Sequence, residues 1–306
     1  MSRWRLIQPS TRAFIREARQ TPDFTLLDLL HGYVYARWTY LYIAMGSGRH
    51  RWAKRLAPLL GWIGSRLTAG AAPDGKPPVS FADTYHGKVV PLNTAVELVS
   101  IHQEIPLRDL EQVIPYTLAR DIVLKNPEAI VALDCPCRMA VEHPCLPMDV
   151  CLIVGEPFAG LVIEHHPRHA RRITPFEAQT ILEEEDARGH VHHAFFKDAM
   201  LGRFYAICNC CSCCCAAMAS FRAGTPMLAS SGYTARVDAA LCKGCRRCEQ
   251  ICPFDAVIVT GGAAAVDASR CMGCGICVGT CKFDALELAC NESRGVPLDV
   301  QALLME

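Results

Sequence analysis

At 306 residues, 51% hydrophobic and 20% charged, the chain is long enough for two domains or one large one, and too apolar for global disorder. Its formal net charge is zero, but residues 1–70 hold 11 Lys/Arg against 3 Asp/Glu, so a segment of +8 faces a remainder of −8. Nineteen cysteines raise the prospect of a disulfide scaffold, but secreted scaffolds of that density are short and carry a cleavable signal. The opening MSRWRLIQPSTRAFIREARQ has no apolar h-region, no small-residue cleavage site and no twin-arginine pair before an apolar run. A reducing, cytoplasmic setting is expected, where clustered thiols bind metal more often than they form disulfides.

Residues 26–45, LLDLLHGYVYARWTYLYIAM, place Leu27, Leu30, Val34, Trp38, Leu41 and Met45 at three-to-four spacing, which predicts one amphipathic helix. Residues 52–67 repeat the pattern more weakly with Leu56, Leu59, Leu60, Ile63 and Leu67, interrupted by Pro58 and Gly61. His31 and Arg37 interrupt the first stretch, and neither reaches the ~18 apolar residues of a bilayer span. All four tryptophans (Trp4, Trp38, Trp52, Trp62) and four of the eight tyrosines lie in residues 1–70. Two readings of 26–67 stay open: packing on the protein or a partner subunit, and peripheral contact with a membrane headgroup region.

Residues 70–80, GAAPDGKPPVS, read as a linker. PLRDLEQVIPYTLARDIVLKNP reads as helical at its ends with a break at Pro115, and AIVALDC as a buried strand. IVGEPFAG has two glycines at the wrong spacing for a phosphate cradle and reads as strand and turn. In TPFEAQTILEEEDARGH, Thr174 is the expected N-cap, Pro175 the first helical residue, Glu177 the second half of a capping box and Gly189 the stop. His165, His166, His169, His190, His192 and His193 surround this helix and are expected at the surface rather than on zinc.

Ten cysteines follow in two groups. LDCPCRMAVEHPCLPMDVCLIVG supplies Cys135, Cys137, Cys145 and Cys151, with Pro136 denying Cys135 a helical conformation and an extended C-P-C pointing two thiols to one side. ICNCCSCCC supplies Cys208, Cys210, Cys211, Cys213, Cys214 and Cys215, in which two C-x2-C pairs interleave. A helix through CCCAAMASF would put Cys211, Cys214 and Cys215 on one face, with Cys210 and Cys213 elsewhere. Six neighbouring thiols do not all reach one centre, so two directions of ligation, or some structural thiols, are implied. One or two further iron–sulfur clusters, a non-cubane or open-iron cluster, a zinc or copper thiolate site, and plain structural cysteines are the readings for these ten.

The C-terminal part repeats itself. VDAALCKGCRRCEQICPFDAV (237–257) aligns with VDASRCMGCGICVGTCKFDAL (266–286), each with C-x2-C-x2-C-x3-C followed by Phe-Asp-Ala. Eight cysteines at duplicated spacing closely resemble the bacterial two-cluster ferredoxin domain over about 232–290. Three thiolates two residues apart wrap three corners of a cubane, and the fourth of each run reaches the other cluster. Carried onto this sequence, that assigns Cys242, Cys245, Cys248 and Cys281 to one 4Fe–4S cluster and Cys271, Cys274, Cys277 and Cys252 to a second. Pro253 ends the first run and Lys282 stands at that place in the second, which changes local charge but removes no ligand. Cys290 lies outside both runs and is expected as a buried thiol.

Together with DTYHGKVVPL, VIPYTLARDIVLKNP, DCPCR, ITPFEAQTILEEEDARGHVHH and ICNCCSCCC, this end resembles a family of 4Fe–4S dicluster-domain proteins of anaerobic or redox-versatile bacteria and archaea, over roughly residues 30–290. The resemblance implies electron transfer and supplies no substrate. The expected fold class is α+β: a basic helical segment (1–70), a central cysteine-rich α/β domain (80–231), a two-cluster ferredoxin domain (232–290) and a tail (291–306). The expected function is single-electron relay through the two ferredoxin clusters and one or two central ones, as a subunit or partner of a redox complex. Redox proteins are the expected partners and no nucleic acid is. A reductive enzyme with a catalytic central cluster is the alternative, against which stands the lack of a nucleotide fingerprint, paired carboxylate or acid–base constellation.

Overall fold

The computed structural model describes residues 7–22, 24–53, 55, 85–105 and 125–305. The linker 70–80, most of the second apolar stripe and the Pro115 break lie outside these residues. Three short helices come first: α1 (Pro9–Ala18), α2 (Leu26–Arg37) and α3 (Thr39–Gly46). The helix expected as one piece over 26–45 is broken at Trp38, whose φ of −128° and ψ of 40° leave the helical region. Thr25 caps α2 in a complete capping box with Asp28.

The central part then runs β1 (Tyr85–Val89), α4 (Leu92–Val99), β2 (Lys125–Leu133), α5 (Pro136–Met139), β3 (Cys151–Glu156), α6 (Phe158–His165), β4 (Ala170–Ile173), α7 (Pro175–Ala187), β5 (Val191–Lys197), β6 (Arg203–Cys210), α8 (Ala216–Arg222) and β7 (Leu228–Ala229). Its strands form one seven-stranded sheet in the order β4-β2-β3-β6-β5-β1-β7. Every neighbouring pair is antiparallel except β1 with β7. The strand expected at AIVALDC is β2, and IVGEPFAG is β3 running into α6. In α7 the Thr174 hydroxyl accepts from the Glu177 amide and Gly189 follows at φ +81°. The reciprocal half of that capping box is replaced by a Glu177–Arg171 ion pair.

Both faces of the sheet are covered. On one, Ile130, Leu152, Leu182, Phe196, Phe204 and Ile207 share a buried core with α4 and α7. On the other, Val131, Ile153, Phe195 and Tyr205 pack with Phe14 of α1, Tyr35 of α2 and Leu161 of α6. Burial on both faces explains the two β5 histidines: His192 and His193 are 1% and 0% exposed, not on the surface, because β5 lies inside the sheet. His166 is buried as well, with Nε2 2.7 Å from the Ala36 carbonyl.

The C-terminal part carries β8 (Tyr233–Val237), α9 (Arg247–Ile251), β9 (Val257–Thr260), β10 (Ala263–Val266), α10 (Ile276–Thr280) and β11 (Leu286–Cys290). Two small ladders, β8 with β11 and β9 with β10, hold the loops that carry the duplicated cysteines. The fold as a whole is α+β. This part docks on the sheet-bearing part through Ser231, whose hydroxyl donates to the Gly273 carbonyl at 2.8 Å. Cys290, expected to be buried, is exposed at the end of β11. The last helix, α11 (Val300–Met305), returns to the sheet, placing Leu298 and Val300 in the core beside α4.

The buried side of α2 and α3 is Gly32, Tyr35, Ala36 and Thr39. The apolar stripe foreseen from periodicity points outward instead: Leu27, Leu30, Trp38 and Leu41 are 46% exposed or more. Gly32 sits where a Cβ would fall on the Ala199 carbonyl and near the Phe14 ring. Gly32→Ala is therefore expected to cost about 1–3 kcal/mol through overpacking. Thermal unfolding of the anaerobic protein checks this, and an unchanged midpoint would show that α2 is not seated there.

Candidate metal centres

The duplicated runs fold into two cavities. One is lined by Cys242, Cys245, Cys248 and Cys281, the other by Cys252, Cys271, Cys274 and Cys277. The crossing arises because each run leaves its first two thiols on a loop and its third in the first turn of the short helix that follows, α9 or α10, and sends its fourth beyond that helix. Backbone amides approach the sulfurs: Ala264 N to Cys242 at 3.4 Å, Ala256 N to Cys252 at 3.3 Å and Ala235 N to Cys271 at 3.5 Å. Such donors favour the thiolate and tune a bound cluster. Gly273, at φ +65°, lets the second loop lie against Ser231 and Tyr233, where a Cβ would collide. Four thiols with amide donors suit a cubane in each cavity.

The two cavities differ in surroundings. Cys271, Cys274 and Cys277 are buried and no charged side chain lines their cavity. Burial pushes the Cys277 thiol up to about 12. Around the other, Cys245 is exposed and Lys243, Arg246 and Arg247 line the rim. There the Gly244 and Ala264 amides lower the Cys242 thiol.

The ten central cysteines divide into four and six. Cys145, Cys211, Cys213 and Cys214 have their sulfurs all within 4.8 Å of one another, with Cys145 and Cys213 3.0 Å apart. The other six form a chain of thiol contacts that closes into a ring. Cys208 meets Cys151, Cys151 meets Cys135 and Cys135 meets Cys137. Cys137 meets Cys215, and Cys215 donates to Cys210 at 3.2 Å. Cys210 is two residues from Cys208 on β6 and so lies on the same face. Cys151 and Cys208 are direct partners across the β3–β6 ladder. Within the ring, hydrogen bonds from Cys137 and Cys151 hold the Cys135 thiol well below its ordinary value.

This division differs from the helical-face expectation. Helix α8 begins only at Ala216, with Cys215 as its N-cap, so Cys211 to Cys214 form a turn. Cys211 and Cys214 therefore separate from Cys215. Cys135 is extended as expected, but Cys137 lies in the single turn α5 rather than in a continuing strand. The two thiols still meet.

Side chains that spacing did not single out hold these segments together. The Arg138 guanidinium, 1% exposed, donates to Glu185 Oε2 at 2.5 Å, to the Asn209 carbonyl at 3.3 Å and to the Pro147 carbonyl, with His190 Nδ1 3.1 Å away. Burial alone would raise Glu185, but hydrogen bonds from His190 and Arg138 bring it below its ordinary value. Arg49, at the end of the N-terminal helices, donates to the Cys137 carbonyl at 3.2 Å and the Cys214 carbonyl at 2.5 Å. One guanidinium thus ties the ring to the four-thiol turn. The only sequence signal was an arginine directly after C-P-C.

Arg138→Met takes its buried cation from Glu185 and leaves it the partly exposed Arg188 at 3.2 Å and His190 at 2.7 Å, a loss of about 3 kcal/mol. Central metal content should fall while the C-terminal cluster signal persists, and Arg138→Met with Glu185→Leu should recover part of the stability. The pH dependence has a defined sign. A depressed carboxylate contributes stability that is fully present above its ordinary 4.5 and is lost as pH falls through the lower folded value. Glu185→Gln should flatten acid unfolding in that window, as read from unfolding midpoints between pH 3 and 6, about the range set by carboxylate titration.

Residues 234–282 match the family model described as the 4Fe-4S dicluster domain. None of the curated proteins compared with the chain matches it. The match covers both cysteine runs and stops short of the upstream cysteine motifs. With two four-thiol cavities in the same stretch, residues 234–282 are a 4Fe-4S dicluster domain, and the chain that carries them is an iron–sulfur protein of the electron-transfer kind.

Proposed function

We propose that the protein relays single electrons from an external redox protein, through an outer and an inner ferredoxin cluster, to metal–sulfur centres in the sheet-bearing part. The observation that carries this reading is the order of exposure of the cluster thiols. In the Cys242 set Cys245 is exposed and Cys242 and Cys281 are half-buried, whereas in the Cys271 set Cys271, Cys274 and Cys277 are buried. Phe254, which lines the cavity of the latter set, meets Phe221 of α8 edge-on, ring centroids 6.3 Å apart. Helix α8 starts directly after Cys215 of the thiol ring. Bound clusters would supply the redox chemistry. The chain's own part is to hold thiolates, aim amides at sulfur and keep water from the inner centre, whose loop Ser231 and Arg294 fasten through the Gly273 and Cys271 carbonyls.

The four-thiol turn admits a second reading. Sulfurs that all lie within 4.8 Å come near the ~3.8 Å edge of a tetrahedron with Zn–S bonds of ~2.3 Å, so a single zinc ion suits Cys145, Cys211, Cys213 and Cys214 at this spacing, whereas a cubane needs these thiols to spread. Iron, zinc and acid-labile sulfide per chain on anaerobically purified protein decide this. About 12–16 iron supports central clusters, at roughly four per cubane. About 8 iron with stoichiometric zinc would remove them.

The partner is proposed to present an acidic face. Lys243, Arg246 and Arg247 rim the outer cavity, and Leu241 and Phe283 beside it are 45% and 41% exposed. The −8 of the chain beyond residue 70 is a sum over the whole remainder and does not describe this rim. Reversal of the three cations to glutamate should slow oxidation of the reduced protein by ferricyanide about tenfold or more at low salt, and speed oxidation by hexaammineruthenium(III). Equal rates with both oxidants would sink the docking face.

Among the described residues no helix is long and apolar enough to cross a membrane. Peripheral contact is supported by the outward stripe of Leu27, Leu30, Trp38 and Leu41, and by Arg37 lying 5.6 Å from the Trp38 ring centre. Flotation with anionic liposomes at low salt should carry the protein upward, and Leu30→Glu with Leu41→Glu should abolish it.

A further inference from the structure

The thiol ring is one wall of a chamber. The rest of its lining includes Tyr35 of α2, Tyr42 and Ile43 of α3, Phe195 and Lys197 of β5, and Tyr205 of β6. The chamber measures ≈ 120 Å³, against ≈ 20 Å³ in each ferredoxin cavity. A cubane needs about four thiolates, and the ring offers two more than that. Space and ligands therefore both exceed what an electron-relay cubane uses.

This part of the lining is selective in its chemistry. It is mainly aromatic and carries Lys197, which is 1% exposed, while the chamber's other cation, Arg138, is paired with Glu185. Its ammonium lies 4.7 Å from the centre of the Tyr35 ring and 5.2 Å from that of Tyr42. Those rings are themselves fixed, Tyr35 by a 2.9 Å hydroxyl contact with Tyr205 and Tyr42 by a 2.7 Å contact with His31. The ammonium is held in place by a rigid cage rather than by a flexible stem. Lys197 shares the inward face of β5 with Phe195 by ordinary alternation, while Tyr205 is the extra residue of the bulge in the paired strand β6. Burial lowers the Lys197 ammonium to about 7, so in this low-dielectric chamber, which the thiols also line, a small anion bound beside it favours the charged form and is drawn in by it.

We propose that this part of the lining is a binding site for a small anion, held by Lys197 against the metal–thiolate face of the ring. The inference rests on the reading that the ring carries a metal–sulfur centre. It makes the chamber the place where electrons arriving through α8 meet a diffusible molecule, and the outer ferredoxin cavity the place where they enter. The ligand class is a compact anion, since the chamber is small and its other cation, Arg138, is already paired with Glu185.

The test uses the anaerobically purified full chain, with iron content measured first and the reduced protein titrated with sulfite, azide and neutral carbon monoxide under EPR. Sulfite and azide are expected to change a signal distinct from the ferredoxin clusters, and to saturate. Lys197→Met should weaken both anions at least tenfold while leaving iron content and the carbon monoxide response unchanged. Lys197→Arg, which keeps the charge, should retain anion binding, and it serves if the methionine variant does not fold. Full iron with no response to either anion overturns the site alone, as does unaltered anion affinity in Lys197→Met. Iron at about 8 per chain, the content of two cubanes, overturns the central-centre reading and the site together.

Discussion

A guanidinium sealed inside the protein is the constraint on which the central architecture turns. Arg138 cannot lose its charge, and a buried cation is tolerated only where its donors meet acceptors. Its acceptors come from the Pro147 turn, from Glu185 of α7 and from Asn209 of β6. Satisfying one side chain therefore gathers three separated segments around the C-P-C turn. Two of those segments flank cysteines: Pro147 lies between Cys145 and Cys151, and Asn209 between Cys208 and Cys210. The thiols converge because the polar group beside them must be solvated by the chain itself.

The sheet supplies the second half of that order. A strand sends alternate side chains to one face, so Cys208 and Cys210 share a face while Asn209 turns away to hold His192 at 2.6 Å and the Val150 carbonyl at 2.8 Å. The direct pairing of Cys151 with Cys208 then sets two thiols from different strands side by side. Beyond Cys210 the chain leaves the sheet and turns, and the next thiols face another way. A run of cysteines that is crowded in sequence is in this way shared between two sites, with Arg49 spanning their backbones.

The polarity of the dicluster domain fits this arrangement. The loop of Cys271 and Gly273 is fastened to Ser231 on the side that docks on the sheet-bearing part, and the exposed Cys245 stands at the basic rim. Desolvation around the inner cavity and amide donation with nearby cations around the outer one act on bound clusters in different ways, since potential depends on charge, hydrogen bonding and exposure. Two nearly identical cysteine runs thus become inequivalent through their neighbours.

How much of this was legible in the linear chain depends on the range of the interactions involved. The duplicated cysteine runs, the strand at AIVALDC, the Thr174 cap and the Gly189 stop are local patterns, set by loop geometry and backbone conformation within a few residues, and the sequence alone determined them. The α+β class followed from the same patterns. Surface histidines were expected from polar composition, but strand order decided that His192 and His193 lie inside. The stripe Leu27–Leu30–Trp38–Leu41 marked an amphipathic face without saying which way it turns. Gly32 and Tyr35 face inward because only a residue without a Cβ fits against Ala199. The four-and-six division of the central thiols, the Arg138–Glu185 pair and the Lys197 chamber wall join residues dozens of positions apart. Spacing carries no information about such contacts, and only the tertiary structure, through sheet register and the need to satisfy buried charge, decided them.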